Sequence, residues 1–139
     1  MQLDDLYRRV IMDHYKNPRN RGTMDADSVT INLNNPTCGD RISLQLQLED
    51  GKVKQAKYTG EGCSISMSSA SMMTEAVKGK SLDEALALAD NFSSFIKGES
   101  VEFDYEDIEA LSGVSKFPAR IKCATLAWNA LRKGIEQDN

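Results

Sequence analysis

The sequence predicts an α+β fold: a three-stranded antiparallel sheet packed with helices, with an N-terminal helix before it and a C-terminal helical region after it. Three observations point there. Apolar residues recur at three- and four-residue steps at the start of the chain, alternate with polar ones between positions 29 and 59, and return to helical spacing beyond Ser64.

Leu3, Leu6, Tyr7, Val10, Ile11 and His14 form one face of a first helix that stops before Asn17-Pro18. The only histidine lies on that apolar face and reads as a packed core residue rather than a ligand. Val29, Ile31 and Leu33 mark a first strand, Ile42, Leu44, Leu46 and Leu48 a second, and Lys52 to Thr59, with Val53, Ala56 and Tyr58, a third. Asp50-Gly51 turns the second strand into the third. Asn35 to Asp40 makes the first turn, so Cys38 and Asp40 are expected on a hairpin loop, and Gly60-Glu61-Gly62 reads as a further turn.

From Ser64 the pattern is helical and closes at Gly79, with Met67, Met72 and Met73 assigned to core packing. Ser81-Leu82-Asp83-Glu84 has the form of a capping box and opens a helix that ends at Gly98. Glu99, Glu102, Asp104, Glu106, Asp107 and Glu109 then form an acidic stretch, read as solvated surface. A last helix carries Ile121, Trp128 and Leu131, with Pro118 near its first turn.

Residues 1–139 are one domain's worth of chain, enough to bury a core without disulfides. A net charge of −4 disfavours nucleic acid as the main partner. No segment reads as membrane-spanning. Three cysteines with no apolar leader suit a reducing, cytoplasmic setting.

The chemistry lies in those cysteines. Cys38 falls in Asn35-Pro36-Thr37-Cys38-Gly39-Asp40, Cys63 follows Gly60-Glu61-Gly62, and Cys123 follows Phe117-Pro118 by a few residues. Free cysteine also packs as a small hydrophobe, but turns and helix ends are where ligands sit. Cys38, Cys63 and Cys123 with Asp40 make a four-ligand set suited to tetrahedral Zn2+, one ion per chain. Cys63 and Cys123 are expected near helix N-termini, where the dipole favours a thiolate. Cys38, between Pro36 and Gly39, is the ligand most easily released. Arg41, Arg120 and Lys122 are candidates to offset the negative charge of such a site. There is no C-x-x-C pair and so no thioredoxin-like redox motif.

Through Asn35 to Asp40, Gly60-Glu61-Gly62-Cys63-Ser64-Ile65-Ser66 and Ile121-Lys122-Cys123, nearly the whole chain resembles the IscU-like family of iron-sulfur cluster assembly proteins. It is most similar to the SufU branch: Lys122 stands where Isc-type scaffolds have histidine, and the acidic segment from Gly98 to Lys116 lengthens the path between Cys63 and Cys123. Lys116-Phe117-Pro118-Ala119-Arg120 replaces the chaperone-binding motif of Isc scaffolds. The resemblance implies a zinc-dependent sulfur acceptor and transferase. Its donor would be a SufS-type cysteine desulfurase and its recipient the SufB-C-D assembly complex, with Cys38, Asp40, Cys63 and Cys123 on zinc and Cys38 as the sulfur acceptor. The alternative it implies is a scaffold holding a nascent iron-sulfur cluster on the same cysteines.

Overall fold

The computed structural model describes residues 3–24, 28–36 and 39–138. Alternation along the middle strand is reproduced in burial: Ile42, Leu44 and Leu46 are buried while their neighbours are partly or fully exposed. β1 (Val29–Asn35), β2 (Asp40–Glu49) and β3 (Lys52–Glu61) pair antiparallel in that order. Asp50 and Gly51 join β2 to β3 with φ of 54° and 73°, a left-handed pair that glycine adopts without penalty and aspartate tolerates.

Both ladders run further than the apolar alternation indicates. Asn35 pairs with Asp40, so Asp40 is the first residue of β2 and not a loop residue. Its side chain is buried, as is that of Asn35, and inward-facing polar residues leave no mark on an apolar pattern. Gly60 and Glu61 likewise belong to β3, paired with Ile42 and Arg41, which shortens the expected glycine turn to Gly62-Cys63.

The inner face of the sheet is covered by helices. α1 (Leu3–Lys16) ends where Asn17-Pro18 indicated. α2 (Ser64–Val77) is the central helix, packed against α1, β3 and α4 (Pro118–Asp138), and its residues from Ser66 to Val77 are buried except Glu75. Met72 and Met73 are fully enclosed, as core packing requires. The serines of α2 satisfy themselves: Ser68 donates to Ile65 O and Ser69 to Ala124 O at 2.6 Å, while Trp128 Nε1–H donates to Ser69 Oγ. Trp128 also stacks on Phe92 of α3 (Leu82–Ile96), centroids 4.5 Å apart. The capping box at Ser81 is complete, each residue's side chain bonding the other's backbone. No helix among the described residues is long and apolar enough to cross a membrane.

The acidic stretch is not uniformly solvated. Glu106–Lys116 forms a 3-10 helix that burial of Ile108, Leu111 and Val114 ties to the core. Asp107 turns inward to His14, which is completely buried: Nε2–H donates to Asp107 Oδ2 at 2.8 Å, and Ser71 Oγ lies 2.7 Å from Nδ1. A carboxylate can only accept, so Nε2 carries the proton and in the neutral ring Nδ1 accepts from the Ser71 hydroxyl. His14 thus bonds α1 to α2 and to the 3-10 helix, a core role as its place on the apolar face suggested. The Tyr105 hydroxyl, 3.2 Å from Nε2, is pushed well above the ordinary tyrosine range, first by burial and then by Asp107.

His14→Ala removes a fully buried ring and its bonds to buried Ser71 and partly exposed Asp107, and should lower the unfolding free energy by about 2–3 kcal/mol. Urea denaturation showing a loss under about 0.5 kcal/mol would contradict this role. Because the folded-state value of Tyr105 lies above its unfolded one, the stability it contributes is complete below about pH 10 and lost as pH rises further. Tyr105→Phe should therefore flatten the alkaline fall in melting temperature.

Candidate metal centre

Three of the four predicted site residues converge at one end of the sheet. Asp40 opens β2, Cys63 is the N-cap of α2, and Cys123 lies in the second turn of α4. One ligand atom from each falls within 4.8 Å of the other two. Two thiolates on a tetrahedral zinc ion stand about 3.8 Å apart, so a spread of up to 4.8 Å closes on an ion with side-chain movement of about 1 Å or less. Cys38 lies outside the described residues.

Asp40 sits here because its carboxylate is tied to the turn before α2: Oδ1 accepts the Cys63 backbone N–H at 3.0 Å. The other oxygen, Oδ2, is buried and has no hydrogen-bond partner among the described residues. A buried, orphaned carboxylate oxygen is costly unless something cationic meets it. With two thiols alongside, the donor set fits zinc, and Asp40, Cys63 and Cys123 are the residues that could hold it.

The approach of Asp40 to this turn explains Gly62. A Cβ there would lie 2.5 Å from both Asp40 Oδ1 and Ser66 Oγ, so any side chain would push the carboxylate away. Cys63 caps α2 with its own sulfur, which accepts the Ser66 N–H at 3.5 Å, while Ser66 Oγ donates to Cys63 O at 3.0 Å.

Cys123 departs from expectation. It is fully buried one turn inside α4, with Ala119 O as a weak sulfur acceptor at 3.7 Å, rather than at a helix N-terminus. Pro118 is the first residue of α4, in the first turn as expected, which leaves Cys123 in the second. Of the three candidate cations, Arg120 meets the site. The Cys63 sulfur, by charge and hydrogen bond, and after it the charge of Cys123 hold the Arg120 guanidinium above its ordinary value. Arg41 instead pairs with Glu61 across the β2–β3 ladder, and Lys122 is exposed on α4. Sequence reasoning missed Ser66 as the partner of Cys63. The helix-start spacing of a cap, three residues from Cys63, was the available signal.

A buried carboxylate meeting two thiols, where the first hairpin and two helices converge, places the molecule in a known class. Residues 6–138 match the NifU-like N terminal domain, and the chain belongs to that family. It is 59% identical over 138 residues to the zinc-dependent sulfurtransferase SufU of Bacillus subtilis (strain 168), covering 98% of this chain and 93% of the relative. It is 48% identical over 138 residues to the iron-sulfur cluster assembly scaffold protein IscU of Streptococcus pyogenes serotype M1, covering 98% and 86%. Among solved structures, a hypothetical protein at 48% identity superposes with a TM-score of 0.90, covering 96% of this chain and 99% of that one.

Gly62→Ala should weaken zinc binding by about 10–100-fold through displacement of Asp40 while leaving every thiol in place. Competition with a chromogenic chelator checks it, and unchanged affinity would show that Asp40 is not held as described. Asp40→Ala should release zinc faster still.

Proposed function

We propose that this chain is a zinc-dependent sulfur acceptor and transferase of iron-sulfur cluster assembly. It takes persulfide sulfur from a SufS-type cysteine desulfurase and passes it to the SufB-C-D machinery. The observation that carries the reading is the buried Asp40 carboxylate within 4.8 Å of the Cys63 and Cys123 thiols, its Oδ2 without a hydrogen-bond partner among the described residues, in a chain 59% identical to a zinc-dependent sulfurtransferase. Cys38 completes the ligand set and is the residue that accepts sulfur. In sequence it lies between Pro36 and Gly39, whereas Asp40, Cys63 and Cys123 are anchored in β2, at the cap of α2 and in α4.

Zinc, when bound, keeps the cysteine sulfurs deprotonated at neutral pH. The chain does the rest. Arg120 places positive charge beside Cys63 and Cys123, and the Cys63 N–H holds Asp40 in place. Transfer itself is thiol–disulfide chemistry: the Cys38 thiolate attacks the outer sulfur of the donor persulfide, a new S–S bond forms, and the donor thiolate leaves with the electron pair of the old one. We place this in the cytoplasm, where thiols stay reduced.

A scaffold role is the second reading, favoured by the likeness to a protein named as an IscU scaffold. Thiolates serve iron-sulfur clusters as well as zinc, so colour separates the two. Protein from its native source should be colourless and carry one zinc per chain by metal analysis. Chelation should lower its melting temperature, since site binding contributes to folding. In single-turnover assays with desulfurase and radiolabelled cysteine, wild type should acquire label on Cys38 and Cys38→Ser should acquire none. A visible absorption band in place of zinc, or labelling of Cys38→Ser equal to wild type, would remove the proposal.

A further inference from the structure

The two edges of the sheet are finished differently. Along β3 the outward backbone groups are taken: Tyr58 N–H donates to Asn20 O at 3.1 Å, Tyr58 O accepts from Gly22 N–H at 2.8 Å, and Val53 bonds Gly79 and Lys80 likewise. In an antiparallel ladder the N–H and C=O of one residue point to the same side, and that side alternates along the strand. Because Tyr58 points away from β2, its neighbours Lys57 and Thr59 bond Gln45 and Ser43, which turns Leu44 and Ile42 towards Ile31 and Leu33 of β1. Thr30, Asn32 and Asn34 therefore direct their backbone groups away from the sheet, where no backbone partner meets them among the described residues.

A bare edge is a template for another strand, and proteins ordinarily blunt it with lysine, proline or a bulge. β1 has none of these: from Val29 to Asn35 it holds no charged residue and no proline, and it pairs with β2 in continuous register. Thr30, Asn32 and Asn34 are exposed, while Val29, Ile31 and Leu33 alternate with them and are only half-buried, so apolar surface remains at the edge. The strand is also its own complement. Antiparallel pairing with a second copy about Asn32 sets Ile31 against the second copy's Leu33 on one face and Thr30 against its Asn34 on the other. Asn32 meets its own counterpart, and each pair formed by Thr30, Asn32 and Asn34 exchanges N–H and C=O bonds. The net charge of −4 opposes association at long range, but none of it lies on this strand.

We propose that two copies of this chain associate through β1, with Asn32 on the two-fold axis, joining their three-stranded sheets into one. The paired strands run in opposite directions, so the metal centres lie at opposite ends of the joint sheet. Asn35, the partner of Asp40 in the ladder, stands at the end of β1, which puts the two centres about 20 Å apart along the strands at about 3.4 Å per residue. Association thus uses none of the proposed ligands, and it stands or falls independently of the transferase reading. One strand pair is a small contact by the standard of stable complexes, so the dimer is weak and concentration-dependent.

Sedimentation equilibrium on the full-length chain, loaded with zinc, tests this. The weight-average mass should rise from 15.4 kDa towards twice that value between about 10 μM and about 1 mM protein. Asn32→Pro removes an N–H that bonds nothing within the chain, so it should stay at 15.4 kDa throughout and keep wild-type zinc content. Asn32→Asp and Asn32→Lys retain the N–H and place like charges on the axis. Each alone should self-associate at least tenfold more weakly than wild type, and an equimolar mixture of the two should recover the association. Misfolding of either variant cannot produce that recovery. A wild-type mass of 15.4 kDa at about 1 mM overturns the proposal. So does a mixture that associates no better than its components, or a dimer that all three substitutions leave intact, which would place the contact on another surface.

Discussion

One hydrogen bond, from the Cys63 N–H to Asp40 Oδ1, joins the sheet to the central helix at the point where the chemistry is assembled. It fixes the start of β2 against the cap of α2 and leaves the other carboxylate oxygen, Oδ2, buried without a hydrogen-bond partner among the described residues. A second donor at Oδ2 would make Asp40 a merely structural residue. Without one among the described residues, the buried oxygen is left for a cation to meet, as a metal ligand would require. Gly62 follows from the same contact, since no side chain fits between Asp40 and Ser66.

The helix that carries Cys63 is held differently from an ordinary amphipathic one. α2 is enclosed nearly all round, and its small hydroxyl residues let neighbours approach closely while bonding carbonyls and ring nitrogens around them. Ser71 meets His14, Ser69 meets Trp128 and Ala124, and Ser66 meets Cys63. The polar residues of this segment form a scaffold of short bonds from the metal centre to the far side of the core.

Much of this was legible beforehand, and the parts that were not share a cause. Alternation located all three strands because Ile42, Leu44, Leu46 and Tyr58 face one way, and Asp50-Gly51 located their turn. The capping box at Ser81 was equally clear because it is a local, sequence-contiguous device. Apolar periodicity cannot see where a polar residue points. Asp40 and Asn35 were therefore assigned to a loop although they close the ladder, and Asp107 was grouped with its solvated neighbours although it alone reaches His14. The ligand set was readable because cysteine is rare here. Its surroundings were not, since Ser66 and Arg120 acquire meaning only through contacts across the fold.

The proposed ligands come from segments far apart in the sequence. Asp40 and Cys63 are brought together by a hairpin and the strand that follows it, short-range steps that a growing chain can complete early. Cys123 lies on α4, close to the C-terminal end of the sequence, and packs beside α2 only once that helix has formed. During synthesis from the N-terminus, a chain that has folded its sheet and α2 offers an ion one carboxylate and fewer thiols than the finished protein. A site drawn from β2, the cap of α2 and α4 is therefore assembled only when all three segments have packed together.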